Sequence, residues 1–433
     1  MSYTDLIFVF CFLPIYMILT LLCSETRNKN LVSLIMSVVF IAWARPLYYA
    51  LILVLIFLVY LSARLCESGK MPWMRMVAGA VTVVSSIFPV ISLGSLGTIS
   101  GTVSAIGFIL FDIRSVLYLK DSKEEGAEKS FVDLSVYLIS FEMMAISPVL
   151  SYSELKDAIK ERHSGLAMLS SGLERFICGL AAVTILGYPL ERLRIAALFS
   201  GSLPTLNLIL GVLFTAIEIY VVALGYLSMS EGLMLMSGYR IELHGGCFLP
   251  KSLMIDHVGA LNPTYKTAVE KLTDKPLWLI LSAVGLCLVA GFALGFGAGG
   301  VALIGIVLVA ILLQKFFETK KSVPAGIFTF LISIFAVILC AFSGSGNWIN
   351  SLFGGSYYYL ISYNLWDELS RSWVYMLIAI FYISPLRPLA GVLKRKIMTE
   401  NESSYGTIRV VSTVLVTLLL VISTVAMATA AMA

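Results

Sequence analysis

Apolar runs of about helix-spanning length recur from one end of this chain to the other, and they constrain the fold more than any motif does. A stretch of roughly 20 apolar residues matches the hydrocarbon thickness of a bilayer. Such runs, or nearly so, lie near 5–22, 31–44, 46–63, 75–93, 101–119, 168–188, 204–228, 277–296, 299–314, 323–342, 372–391 and 408–431. Hydrophobic residues make up 59% of the 433 residues and charged residues 13%, against about 45–50% and 25% in an ordinary soluble domain. The reading is an all-α polytopic integral membrane protein with about twelve transmembrane helices, organised as a single membrane domain over residues 1–433. Residues 1–22 carry Asp5 rather than a positive n-region, so they read as a first span and not as a cleaved signal peptide.

The net charge of +4 comes without a basic stripe interleaved with aromatics, which argues against nucleic acid as a partner. Lysine and arginine instead cluster in alternate loops: Arg27 and Lys29; Arg64, Lys70 and Arg75; Lys120, Lys123 and Lys129; Lys315, Lys320 and Lys321; Lys394, Arg395 and Lys396. The positive-inside rule places these loops in the cytoplasm and both chain ends outside. Arg45, Arg192 and Arg194 fall on the opposite side as exceptions. Residues 131–150 are apolar but contain Asp133, Glu142 and Pro148. They read as a re-entrant segment, since counting them as a span would scramble the charge pattern. The loop 343–371 is rich in glycine and aromatics, suited to a headgroup belt or to stacking on a glycan.

Among the 7 cysteines no pair has metal-ligand or redox spacing, and neither a metal nor a cofactor is expected. Chemistry is sought elsewhere. The polar segment 240–276 interrupts the membrane pattern on the cytoplasmic side and contains His244 and His257, two of the 3 histidines. Asp112, Arg114, Glu142 and Glu218 lie inside apolar runs. At that depth ionisable groups either pair internally, as Arg114 would with Glu142 or Glu218, or line an aqueous funnel.

Five stretches, taken in order over residues 40–240, resemble the membrane-bound O-acyltransferase family in its bacterial branch of alginate O-acetylation and teichoic-acid D-alanylation proteins. Trp43 and Pro46 fit the Trp-x-x-Pro entry into a long helix. Ile106, Gly107, Tyr118, Leu119 and Asp121 fit the next motif, with Ala105 at its Pro and Arg114 at its Gln. Phe141, Pro148, Tyr152 and Ser153 follow in register, and Glu154 stands for the family's Asp. The stretch GLERFICGLA matches a further helix, with Ala182 and Val183 at its lysines. Gly225, Tyr226, Met229 and Gly232 match the last, with Val222 and Ser228 at its acidic positions.

The resemblance implies a helical bundle and transfer of an acyl group from a cytoplasmic thioester, carried by an acyl-carrier protein or acyl-CoA, to a cell-envelope polysaccharide or teichoic acid. It further implies residence in a bacterial plasma membrane and work alongside an extracellular acyltransferase. The family's two motif histidines are replaced: one position falls on Leu288 and the other near Leu261. Hydroxyl acylation needs a base of near-neutral pKa, and leucine cannot serve. Of the remaining histidines, His163 follows a charged run and His244 precedes two glycines in a turn-like setting. His257, beside Asp256, is the expected base. Two other readings stay open: a catalytically silent family member acting as scaffold, acyl or lipid passage or partner of an active paralogue, and an unrelated transporter whose GFALGFGAGG stretch packs helices closely.

Overall fold

The computed structural model describes residues 1–44, 46–67, 73–94, 99–124, 126–163, 165–199, 204–242, 246–249, 251–273, 310–311, 313–314, 323–341, 361–388 and 402–432. Among them there is no strand. In hydrocarbon the backbone must satisfy its own hydrogen bonds, which selects helices for apolar sequence of this kind. The helices are α1 (Leu13–Leu22), α2 (Thr26–Ala44), α3 (Pro46–Glu67), α4 (Met74–Gly94), α5 (Ile99–Glu124), α6 (Phe131–Ile139), α7 (Tyr152–Lys160), α8 (Leu166–Ala181), α9 (Tyr188–Leu198), α10 (Thr205–Met236), α11 (Met254–Leu261), α12 (Pro263–Thr273), α13 (Val323–Ala341), α14 (Tyr363–Ile383) and α15 (Glu402–Met432). Single π-helical stretches precede α1 (Phe8–Phe12) and join α8 to α9 (Ala182–Gly187).

The chain is an all-α membrane protein, and the described residues show only part of the expected set of spans. Among the described residues four helices are long and apolar enough to cross a bilayer: Ala50–Glu67, Leu166–Leu198, Leu206–Met236 and Arg409–Ala431. Phe8–Leu22, Met74–Val90 and Val323–Phe335 are apolar but shorter. The expected spans at 277–296 and, but for a few residues, 299–314 lie outside the described residues, as do most of loop 343–371 and Lys394–Lys396.

Two compact units divide the chain. The first comprises Met1–Leu173, Ser230–Leu243 and Thr264–Phe292. Its centre is the segment expected to be re-entrant. Helix α6 has 9 residues, too few to cross a bilayer, and a 3-10 turn at Phe141–Met143 follows. From Leu134 to Val149 the chain is buried, so its irregular backbone needs partners from elsewhere. Side chains supply them. Ser37 Oγ accepts from the Phe141 N–H at 2.8 Å, and Thr264 Oγ1 from the Val149 N–H at 3.0 Å. Arg114 Nη2 donates to the Met143 carbonyl at 2.8 Å, Ser230 Oγ to the Glu142 carbonyl and Tyr3 to the Phe141 carbonyl. Around the turn, Phe141 lies edge-on to Tyr16 at 4.7 Å and to Phe12 at 5.2 Å.

Glycine lets α5 meet this segment. A Cβ on Gly107 would lie 2.1 Å from the Met144 carbonyl oxygen, a distance that no side chain tolerates. Helix α10 ends at Met236, and just beyond it Gly238, with a φ of +89°, allows a reversal: the Tyr239 N–H reaches back to the Met234 carbonyl at 3.0 Å and the Gly238 N–H to Leu235 at 3.0 Å. This is the Schellman arrangement, which satisfies the last carbonyls of a helix.

The second unit comprises Glu174–Met229, His244–Pro263 and Ala293–Ala433. Its apolar core joins Leu186, Leu190, Leu193, Leu198, Phe214 and Val221 with Leu365 and Ala379 of α14. Asn207 and Ser362 tie α10 to the start of α14 through two bonds, of 2.7 and 3.1 Å. A Cβ on Gly225 would meet Val183 Cγ2 at 2.6 Å and the Gly179 carbonyl at 3.1 Å, so small residues set the approach of α10 to the helix carrying Gly179. The described part of the polar segment 240–276 within this unit comprises 246–249, without regular secondary structure, and 251–263, which contains α11. The Phe248 N–H bonds the Ile383 carbonyl at 2.7 Å, and the Cys247 N–H bonds Ala260 at 3.1 Å. Gln314 accepts from the Met254 N–H at 2.8 Å, satisfying a first-turn donor of α11 for which Leu253 has no side-chain acceptor.

Candidate functional site

His257 sits in the fourth position of α11, half-buried among aromatic rings of the second unit. Tyr220 and Phe248 stand edge-on to each other at 5.0 Å, and the imidazole is edge-on to Phe248 at 5.6 Å and to Tyr220 at 6.1 Å. Both ring nitrogens are engaged. Nδ1 lies 2.9 Å from the Leu249 carbonyl oxygen, which only accepts, so Nδ1 carries a proton. In the neutral ring Nε2 is then the acceptor, and it meets the Tyr220 hydroxyl. This is the arrangement a histidine base requires: one nitrogen anchored through its N–H, the other presenting a lone pair.

Asp256 does not anchor that ring. Residues 254–261 are α-helical, and successive helical residues point about 100° apart. The Leu249 carbonyl takes the place that a carboxylate would occupy. His163 is exposed, its Nδ1 2.9 Å from the Glu161 carbonyl. His244 lies outside the described residues, as does Leu288. Leu261 is the last residue of α11, its carbonyl 1.9 Å from where a Cβ on Gly246 would be.

The four ionisable groups inside apolar runs find partners, though not those expected. Asp112 accepts from Ser86 Oγ at 2.8 Å. Arg114 is spent on carbonyls, Met143 at 2.8 Å and Leu110 at 3.2 Å, and forms no ion pair with Glu142. Glu142 is fully buried, and one oxygen, Oε1, accepts from Tyr16 at 2.7 Å, Ser237 at 2.7 Å and Ser33 at 3.3 Å. Glu218 pairs with Arg194, Nε to Oε2 at 2.8 Å, with Glu191 3.6 Å from the same guanidinium. The hydroxyl donors around Glu142 and the Arg194 and Tyr220 partners escape a sequence reading, because apolar-run patterning marks charges and not the serines and tyrosines that serve them.

The motif residues converge on structural tasks in the first unit. Asp121 accepts from Ser153 Oγ at 3.2 Å. Tyr118 and Tyr152 stack edge-on at 5.3 Å. Glu154 reaches back to the Ser151 N–H at 2.8 Å, closing a capping box on α7, and pairs with Lys271 at 2.9 Å. Burial pushes the Glu154 carboxyl up, but Lys271 and the Ser151 N–H outweigh it and leave it below its ordinary value. Close to it in sequence, Tyr152 donates to Glu128. Burial raises the Glu128 carboxyl, yet Tyr152, the Ser130 N–H and Lys160 bring it down to about 2. Among the described residues no group of three or more histidine, cysteine or acidic side chains could hold a metal ion.

No protein-family model matches the chain. It is similar to the probable alginate O-acetylase AlgI of Pseudomonas fluorescens, 28% identical over 250 residues that cover 55% of this chain and 50% of that one. The proteins of the same description from Pseudomonas putida and Pseudomonas aeruginosa are each 26% identical, over 264 and 261 residues, covering 55% of this chain and 54% and 50% of theirs. The chain thus spans about half the length of the curated relatives it matches. These similarities support a relationship to the membrane-bound O-acyltransferase family.

Proposed function

We propose that this protein is a divergent acyltransferase of the cell envelope, moving an acyl group from a thioester donor on the cytoplasmic side to a hydroxyl of a polysaccharide or teichoic acid. The observation that carries this reading is the anchored imidazole: Nδ1–H on the Leu249 carbonyl and an Nε2 lone pair that meets a hydroxyl. The similarity to alginate O-acetylases supports the class of acceptor. In the reaction His257 Nε2 takes the acceptor's hydroxyl proton as its oxygen bonds to the thioester carbonyl carbon. The C–S bond breaks, and the imidazolium returns the proton to the leaving thiolate. The products are an ester and a free thiol, and the base is regenerated. Several helices cross the plasma membrane in this reading, with segment 240–276 facing the cytoplasm.

The replaced histidine positions at Leu261 and Leu288 favour a second reading, a silent relative that serves as scaffold or passage. Envelope polysaccharide acylation measured in cells separates the two. His257→Ala at normal protein levels is expected to lose on the order of 10²-fold or more of the transfer, the usual contribution of a general base. Full transfer in that variant, together with none when the whole protein is deleted, would favour the scaffold. A cysteine in place of Arg395 is expected to be shielded from an impermeant thiol reagent in intact cells and one in place of Ser345 to react; the reverse would overturn the orientation.

A further inference from the structure

We infer that Tyr220 is a positioning residue whose hydroxyl caps His257 Nε2 and marks the subsite where an acceptor hydroxyl sits; the acceptor part of this inference rests on the acyl-transfer reading above. Of the two ring nitrogens, Nδ1 is committed to a backbone carbonyl that α11 cannot move without losing the Phe248 and Cys247 backbone bonds beside it. Nε2 has one partner only among the described residues, the Tyr220 phenol. The phenol is an alcohol-like donor of the chemistry that an acceptor would bring, delivered from the long helix α10. Its ring is fixed independently of that bond, edge-on to Phe248 at 5.0 Å. Tyr220 and His257 are each only half-buried, so an incoming hydroxyl has a face from which to displace the phenol. With the cap in place the imidazole is held as the neutral Nδ1–H tautomer, ready to accept but already satisfied.

An acceptor hydroxyl must therefore compete with the phenol, and removing only the phenol oxygen exposes Nε2 without disturbing the rings. Binding of the acceptor and uncapping of the base are then one event, and an empty site keeps its base covered.

The test uses the purified full-length protein in detergent. Diethyl pyrocarbonate acylates unprotonated imidazole nitrogen, and peptide mass spectrometry reads each histidine separately. Tyr220→Phe is expected to raise the modification rate at His257 about three- to tenfold, the release of one ordinary hydrogen bond, while exposed His163 keeps its rate. A His257→Gln protein identifies the modified peptide. An unchanged or lower rate at His257 overturns the cap. Nitrogen NMR of histidine-labelled wild-type protein provides a check that needs no variant: a neutral His257 with the proton on Nε2 would equally overturn it. Acyl transfer is measured in parallel. A faster modification in a protein with no transferase activity sustains the cap and removes the reaction. Transfer that depends on His257, with no change in modification on Tyr220→Phe, removes the cap and sustains the reaction.

Discussion

Glu142 and Glu218 are both buried carboxylates in largely apolar sequence, one in each unit, and they are met in opposite ways, Glu142 through one oxygen while its Oε2 has no hydrogen-bond partner among the described residues. Glu142 has no guanidinium or ammonium within ion-pair distance among the described residues; three hydroxyls, from Tyr16, Ser33 and Ser237, converge on a single oxygen. Glu218 has a guanidinium, Arg194, with a second carboxylate beside it. A hydroxyl can donate to a carboxylate or to a neutral carbonyl alike, so the first arrangement depends largely on shape, with buried Arg162 near enough to act on the carboxylate through its charge but making no ion pair with it. An ion pair depends on charge, and losing one member strands the other. The same residue type inside the same kind of sequence can therefore be insensitive or highly sensitive to neutralisation, according to its neighbours.

The contrast can be broken most easily at Arg194. Arg194→Leu is expected to cost about 3–5 kcal/mol by leaving the Glu218 carboxylate without its cation, read as a fall in Tm at fixed scan rate. Adding Glu218→Gln should recover part of that loss; no recovery would mean that the pair is not what holds this region. Next in size is Tyr16→Phe, which removes a 2.7 Å hydroxyl from Glu142 and is expected to cost about 1.5–3 kcal/mol, the range for a bond to a charged group. Glu142→Gln keeps an acceptor for Tyr16 and should cost only about 1 kcal/mol. A loss as large as that of Arg194→Leu would show that charge, not shape, governs both sites. The smallest effect belongs to Glu128, at the end of the loop before α6. Its carboxyl is held near 2 against an ordinary 4.5, so its contribution is complete above about pH 4.5 and fades as pH falls toward 2. Glu128→Gln should flatten the acid limb of stability against pH; an unchanged limb would count against the Tyr152 and Lys160 contacts.

Much of this is legible in the sequence, and the failures have physical causes. Long apolar runs announce helices, whereas Gly107, Phe141, Tyr152 and Ser153 announce only a family resemblance, and what they touch is visible in the structure alone. The need for a glycine at 107 is a 2.1 Å approach, which no linear pattern reveals. Arg194 reads as an exception to the positive-inside pattern, and in the structure it pairs with the buried carboxylate of Glu218. His257 stands out in the sequence by elimination, and adjacency alone offers Asp256 as its companion. Helical rotation separates such neighbours, and the groups that the ring does meet, Tyr220 and the Leu249 carbonyl, lie 37 and 8 residues away in the chain.

The π-helical stretch at Ala182–Gly187 acts as a length code. A π-turn accommodates one residue more than the α-turn it replaces, and each residue turns a helix by about 100° and advances it 1.5 Å. The helix that follows, Tyr188–Leu198, is thereby set in phase by that surplus residue. Remove one residue between Ala182 and Gly187, and the same sequence would wind as plain α-helix with Arg194 swung about a quarter-turn from its present azimuth, away from Glu218. A frame of six residues thus decides which side of the following helix meets a buried acid, and an indel there would rewrite the partner without altering any side chain.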